Sequence, residues 1–478
     1  MKTTKTKENK NIKNLLSKSD KPQEECAVFG VSLFEKEAVG VTYIGLIALQ
    51  HRGQESAGMA VVLDGNKIFC HKNMGLVTDV FYKKKMATIP NGKVAIGHTR
   101  YSKEGSDRIE NAGPFVTEFL TGRIAVTLNG CITNVEKIRE FLQGFGVSFG
   151  ATATTEVVSS LIALYITKEK KPITGIKKAV TMLEGAFSLV VAMCDGTLYA
   201  VRDPNGFRPL CIGFSNMGCV VASESCALDS CGFLFSRDVL PGEIVEIKNG
   251  RITSGKVELT TRCHGQGLCI FEYVYFSRPD SVIDGQSVYE SRFNMGKALA
   301  KEHPAEADVV CGAPDSGLDA AAGFASESGI PLVTGFIKNR YIGRSFIYPT
   351  QAQREAAVSL KLNPLKASIA GKRVVLVDDS IVRGTTCNRV VNSLKKAGAT
   401  EVHVRISSPH FKHTCHYGTD IDSEDNLIAN QLDDEGICKA INAESLGFIS
   451  INGLVRSCSK SNSKFCTACF TGNNCNKN

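Results

Sequence analysis

No apolar run in the 478 residues reaches the ~18 that a membrane-spanning helix needs, so no membrane partner is expected. The first 25 residues contain no Arg and no apolar core segment, which argues against a secretory signal and against an organellar transit peptide. Positive charge lacks a focus as well. Of the formal +8, seven Lys against Glu8, Asp20, Glu24 and Glu25 place three charges on that N-terminal tail. The remainder is too diffuse for a nucleic-acid partner, while a small anionic substrate would suit it. Cysteine is not lacking, but its 18 residues are scattered through segments that read as core, such as Val309-Val310-Cys311 and Pro209-Leu210-Cys211-Ile212. In so long a chain this implies reduced thiols in a cytoplasmic compartment, with a few recruited as ligands or nucleophiles. A content of 43% hydrophobic and 22% charged residues is that of an ordinary soluble protein of two or three domains.

What is present begins with an aliphatic run, Val374-Val375-Leu376-Val377, that ends in Asp378-Asp379. It is followed by Ser380-Ile381-Val382-Arg383-Gly384-Thr385-Thr386 and a helix-compatible stretch over 387–396. The pattern reads as buried strand, loop and helix. Backbone N–H groups at a helix start favour an anion, Gly384 lets the backbone approach it, and Ser380, Thr385 and Thr386 add hydroxyl donors; the loop should hold a phosphate. Asp378 and Asp379 would repel that ligand unless they face ribose hydroxyls or a Mg²⁺ held by its diphosphate.

The stretch closely resembles the phosphoribosyl-pyrophosphate (PRPP) motif of type I phosphoribosyltransferases. Around it, helices over 290–303 and 318–327 and strands over 308–311, 331–336 and 401–406 predict a βαβ series and a parallel sheet. Ligands on such sheets bind at the carboxyl ends of strands. There, Gly312-Ala313-Pro314-Asp315-Ser316-Gly317 resembles the family's pyrophosphate loop, with Ser316 near the metal. The stretch from Lys338 through Arg340, Arg344 and Arg354 to Lys361 is basic without a core pattern and reads as a flap over an anionic ligand, with Lys338, Arg344 and Lys361 as substrate contacts.

At the other end, texture changes abruptly between Glu25 and Cys26, where Cys26-Ala27-Val28-Phe29-Gly30-Val31 begins as an apolar strand. If residues 1–25 are a propeptide, its removal gives Cys26 a free α-amine, whose pKa of about 7.7–8.0 makes it a usable base for its own thiol. Gln50-His51-Arg52-Gly53-Gln54-Glu55, His98-Thr99-Arg100-Tyr101, Asn111-Ala112-Gly113-Pro114-Phe115 and Asn129-Gly130 follow in order. This series resembles the glutamine amidotransferases with an N-terminal nucleophile, which fold as an αββα sandwich. The resemblance implies that Cys26 attacks the glutamine amide, that Arg100 pairs with the substrate's α-carboxylate through two parallel bonds, and that Asn129 with the Gly130 amide forms the oxyanion hole. The chain departs from the family at Leu128-Asn129-Gly130-Cys131, where relatives show His-Asn-Gly-Asn. It departs again at Thr154, where relatives carry the Asp that pairs with the glutamine ammonium. The match runs on through Arg202-Asp203-Pro204-Asn205-Gly206-Phe207-Arg208 to about residue 260.

The order of parts resembles the glutamine phosphoribosylpyrophosphate amidotransferases, the family that opens purine synthesis. The fold implied is α+β followed by α/β: propeptide 1–25, amidotransferase domain 26–260 and phosphoribosyltransferase domain 261–478. Its partners would be PRPP, glutamine, purine nucleotide inhibitors and further copies of the chain in a dimer or tetramer. Cys466-Thr467-Ala468-Cys469 alone suits a redox pair, zinc or an iron–sulfur cluster. The cluster-bearing branch of the family implies a 4Fe–4S group on Cys269, Cys415, Cys466 and Cys469. Two rivals are an ammonia-only enzyme with a decayed glutaminase half and a PRPP-sensing regulator, which would carry a DNA-binding domain not visible here. Because Cys26 is not residue 2, removal of the initiator Met cannot expose its amine, so the intact mass of active protein should correspond to a chain starting at Cys26. Full glutaminase activity in a chain that retains residues 1–25 would sink the amine-as-base reading.

Overall fold

The computed structural model describes residues 26–101, 108–253, 267–339, 362–421, 423–459 and 464–473. Residues 1–25 and Arg340, Arg344, Arg354 and Lys361 of the basic stretch lie outside the described residues.

The first half is built on two antiparallel sheets. In the seven-stranded sheet the spatial order is Leu234–Asp238, Cys211–Ser215, Gly218–Ala222, Cys26–Leu33, Val94–Arg100, Ser56–Leu63 and Lys67–Met74. In the six-stranded sheet it is Arg251–Ile252, Ile244–Lys248, Leu198–Arg202, Gly185–Met193, Gly122–Ile132 and Phe115–Phe119. Strands such as Cys26–Leu33 are buried along their whole length, because each face meets a different layer. Val28, Ile96, Val190, Ala192, Leu198 and Val221 pack between the sheets. The helices Ala38–Ala48 and Ser225–Cys231 cover one outer face, and Val135–Gln143, Thr154–Glu169 and Pro172–Thr181 cover the other. The result is the αββα sandwich expected.

The second half carries a four-stranded parallel sheet, Val309–Gly312, Arg373–Asp378, Glu401–Ile406 and Ser445–Phe448 in that order. Alternation along Val374-Val375-Leu376-Val377 sends Val375 and Val377 towards the helices Val288–Glu302 and Leu318–Ser328, and Val374 and Leu376 towards Thr385–Lys396. The strand expected over 331–336 is not formed as such. Leu332 makes a single parallel bridge to Val310, and the regular strand starts later, at Phe336–Lys338, paired with Leu362–Pro364. Pro331 has no N–H to extend a ladder. No helix among the described residues is long and apolar enough to cross a membrane.

The halves are joined through buried charge. Arg52, 1% exposed, sends Nη1 to Glu224 and Nη2 to both oxygens of Glu272 at 2.9 and 2.8 Å. Glu272 sits in the π-helical turn Glu272–Phe276 and also accepts from Arg208 Nη1 at 3.2 Å and Ser277 Oγ at 2.7 Å. Glu224 accepts from the Arg278 amide at 2.9 Å and Ser281 Oγ at 2.7 Å, and His51 Nε2 lies 2.6 Å away. Burial alone would raise the Glu224 carboxyl, but the charges of His51 and Arg52 and these hydrogen bonds hold it far below the usual carboxylate range.

A depressed carboxyl stabilises the fold above its unfolded value and loses that contribution as pH falls. Glu224→Gln should therefore cost about 3–5 kcal/mol at neutral pH, since it leaves Arg52 short of a buried partner. The deficit relative to wild type should shrink below about pH 4.3, and chemical denaturation across that range measures both effects.

Candidate active sites

Cys26 opens its strand with its Cα opposite Arg100, and Arg100 in turn faces Ser56 on the next strand. The three residues therefore form a row across one edge of the seven-stranded sheet. The Gly122–Ile132 strand of the other sheet packs on both the Cys26 and Arg100 strands and delivers Asn129 and Gly130. Asn129 is fully buried, yet neither heteroatom of its amide has a hydrogen-bond partner among the described residues. Such an orphaned amide costs about 1–3 kcal/mol and marks a place prepared for another polar group. Gly130 has φ +136°, and a Cβ there would stand 2.1 Å from the Ala186 carbonyl oxygen, so no side chain is tolerated beside that amide. His98 bridges the sheets at the same level, with Nε2 3.0 Å from the Leu128 carbonyl; burial pushes its pKa down to about 4, so the ring is neutral near pH 7.

Thr154 is the first residue of its helix, and the turn before it is held firmly. Thr152 donates its amide to Asn111 Oδ1 at 3.0 Å, and Glu156 receives the amides of Gly150 at 2.9 Å and Ala151 at 2.8 Å. The neighbouring Glu156 is thus committed to the backbone of that turn. The motif containing Asn111 was visible in the sequence, but its bracing of this turn was not.

In the second half Asp378 ends its strand and Asp379 follows, 2% and 0% exposed. The hydroxyls of Ser316 and Ser380 donate to the two oxygens of Asp379, the latter at 2.6 Å. Gly384 caps the Thr385–Lys396 helix with φ +83°. The 312–317 loop lies directly against this motif: Ala313 donates to the Val377 carbonyl at 2.8 Å, and a Cβ on Gly317 would meet that same oxygen at 2.3 Å. Lys338 reaches the loop through an ion pair with Asp315. The structure thus unites Ser316, Asp378, Asp379, Ser380, Gly384, Thr385, Thr386 and Lys338 at the carboxyl end of the parallel sheet. Arg344 and Lys361 lie outside the described residues.

Cys269, Cys415, Cys466 and Cys469 converge from three segments. Cys269 and Cys466 form a parallel backbone bridge, Cys469 O accepts the amides of Lys412 and His413 at 3.0 and 3.1 Å, and Cys415 Sγ accepts from Tyr417 N at 3.3 Å. Burial and then the charges of Cys269, Cys415 and Cys466 push the Cys469 thiol well up. Among the described residues, no group of three or more His, Cys, Asp or Glu side chains is gathered in a metal-holding arrangement.

An N-terminal-nucleophile sandwich and a type I phosphoribosyltransferase sheet on one chain define a two-domain glutamine-dependent phosphoribosyl transferase. Residues 98–230 match the glutamine amidotransferase domain and residues 286–416 the phosphoribosyl transferase domain. The chain is 47% identical to the amidophosphoribosyltransferase of Methanocaldococcus jannaschii, covering 94% of this chain and 97% of that one. It is 46% identical to the Synechocystis amidophosphoribosyltransferase, over 95% and 91%. The solved glutamine PRPP amidotransferase of B. subtilis, in complex with ADP and GMP, superposes with a TM-score of 0.84 at 42% identity, over 94% of this chain and 97% of that one. The chain belongs to the amidophosphoribosyltransferase family.

Proposed function

We propose that the chain converts glutamine, PRPP and water into 5-phosphoribosylamine, glutamate and pyrophosphate, with residues 26–260 releasing ammonia and residues 261–478 using it. The observation that carries this reading is that two half-sites of complementary chemistry share one chain and are joined through a fully buried ion-pair network.

In the first half Cys26, with residues 1–25 removed, attacks the glutamine amide while its own α-amine takes the thiol proton. Arg100 pairs with the α-carboxylate, and the orphaned Asn129 amide and the Gly130 N–H receive the oxyanion. Collapse releases ammonia and leaves a thioester that water hydrolyses to glutamate. Thr154 offers only a neutral hydroxyl to the substrate ammonium, so glutamine binding is weaker by roughly ten- to a hundredfold than a carboxylate would give.

In the second half the hydroxyls and amides of Ser380, Gly384, Thr385 and Thr386 hold the 5-phosphate, while Lys338, Arg344 and Lys361 meet the diphosphate. Asp378 and Asp379 orient the ribose. The hard oxygen donors of Asp378, Asp379 and Ser316 suit Mg²⁺, which when bound neutralises charge on the departing pyrophosphate. Exclusion of water keeps ammonia unprotonated and spares the ribosyl C1 from hydrolysis. Cys269 and Cys466 share a backbone bridge and the Cys469 thiol lies in the field of Cys269, Cys415 and Cys466; as soft donors these four would suit a 4Fe–4S cluster, which would fasten the 464–473 segment to the core with no part in either half-reaction. Buried reduced thiols fit a cytoplasmic chain; purine nucleotides are proposed as inhibitors, and a homodimer or homotetramer as the assembly.

Cys26→Ala should abolish glutamine-dependent synthesis and leave ammonia-dependent synthesis intact, whereas Asp379→Asn should damage both; loss of the ammonia reaction in folded Cys26→Ala would contradict this division. In the same assay Thr154→Asp should lower the KM for glutamine alone. Metal analysis should find about four irons per chain with a brown chromophore, and Cys469→Ser should lower iron content and yield of folded protein; colourless, stable protein holding zinc would refute the cluster.

A further inference from the structure

His98 stands two residues before Arg100 on the Val94–Arg100 strand, and no step described above uses it. Val94 and Ile96 of that strand pack into the gap between the two sheets, so the alternation carries His98 and Arg100 to the same side. Ala125 enters the gap from the Gly122–Ile132 strand, which brings Asn129, four residues on, to face it as well.

The imidazole occupies a missing rung of the six-stranded sheet. The Phe115–Phe119 strand pairs with Gly122–Ile132 from Phe119 opposite Gly122 to Phe115 opposite Val126, and the ladder stops there. Two positions further in the same register, Gly113 would oppose Leu128, but Pro114 between has no N–H to carry a ladder on. His98 touches both residues: Nε2 lies 3.0 Å from the Leu128 carbonyl oxygen, and a Cβ on Gly113 would stand 2.6 Å from Nδ1. A carbonyl can only accept, so Nε2 carries the proton and donates. Nδ1 is then a bare lone pair with no hydrogen-bond partner among the described residues, and the Leu128 carbonyl is what orients the ring. Gly58 lies opposite His98 on the next strand, and a Cβ there would meet the Gly113 carbonyl at 2.1 Å, so the Gly113 peptide is packed close on that side.

Past the missing rung the strand keeps a ladder on one edge, with Asn129 opposite Ser188 and Gly130 opposite Phe187. The carbonyl that His98 holds belongs to the peptide whose nitrogen is that of Asn129. Fixing this peptide plane sets the direction in which the Asn129 side chain leaves the backbone and, one peptide later, the direction of the Gly130 N–H.

We propose that His98 is a positioning residue for glutamine hydrolysis: its Nε2–H pins the Leu128 carbonyl and thereby aims the Asn129 amide and the Gly130 N–H at the oxyanion. This rests on the functional reading above. Arg100 holds the substrate carboxylate without help from His98, whereas the oxyanion donors are needed only once the amide oxygen takes up charge. Loss of the His98 bond therefore falls on kcat and spares KM.

The test measures glutamine-dependent synthesis at saturating PRPP, and ammonia-dependent synthesis, in the full processed chain. His98→Leu fills the space without a donor, and the amide of His98→Asn is too short to reach the Leu128 carbonyl. Each should lower kcat for glutamine about tenfold or more, with KM for glutamine within about twofold of wild type and ammonia-dependent synthesis unchanged. His98→Gln, whose amide nitrogen reaches as far as Nε2, should recover most of the lost kcat. If His98→Leu does not fold, the Asn and Gln variants carry the test between them. An undiminished kcat in His98→Asn, a defect confined to KM, no recovery in His98→Gln, or an equal fall in ammonia-dependent synthesis would overturn the inference alone. A processed wild type that makes no phosphoribosylamine from glutamine would overturn the functional reading and this inference with it.

Discussion

A guanidinium removed from water must be matched group for group, and Arg52 is matched by one carboxylate from each half of the chain. Glu224 belongs to the sandwich and Glu272 to the turn that opens the second half. Taking any of these ions out of water alone would cost several kcal/mol, so the pairs persist only because Arg208, Ser277, Ser281 and the Arg278 amide satisfy the remaining oxygens. Such a joint has one good geometry and few poor ones. Apolar surfaces could slide on each other; this set of directional bonds fixes how the sandwich and the parallel sheet meet.

A second buried charge reinforces that joint. Arg202 ends a strand of the sandwich, donates to the carbonyls of Arg208, Val239 and Gly206, and reaches Asp284 in the hairpin of the second half at 2.7 and 2.9 Å. Asp203 next to it organises the following turn by receiving the amides of Asn205, Gly206 and Phe207 at 2.8, 2.8 and 3.0 Å. The segment Arg202 to Arg208 is thus a bracket. It supports the strand beside Gly130 from one side and the second half from the other.

The elements that could be read from sequence were those with a local cause. The aliphatic run Val374 to Val377 has to be a strand buried on both faces, and Gly384 with two threonines has to start a helix; both appear within two residues of expectation. Cys26, Arg100 and Asn129 were legible through the series of motifs, and the structure adds what no pattern could show, that the Asn129 amide is buried without a partner. The weak points were those with a remote cause. Whether 331–336 forms a strand depends on which neighbour it finds, and Glu272, a charge inside the apolar run Phe271-Glu272-Tyr273-Val274, is explicable only once Arg52 and Arg208 are placed against it. That lone acid was the signal available, but nothing in the sequence says which cation answers it across 220 residues.

The four converging cysteines lie at the same seam. Phe207 of the sandwich stacks on Tyr417 with ring centroids 4.4 Å apart, and Ala186, Cys466 and Ala468 complete that small apolar cluster. Because Cys466 bridges to Cys269 from nearly two hundred positions downstream, this part of the seam closes only after the 464–473 segment has left the ribosome. The ion pairs of Arg52 and Arg202 draw on residues no later than Asp284, so the charged joint precedes the apolar one in chain order. The C-terminal segment is thus the last piece of the seam to be added: a chain released before it keeps every residue of the charged joint but leaves Phe207 and Tyr417 without Cys466 and Ala468 beside them.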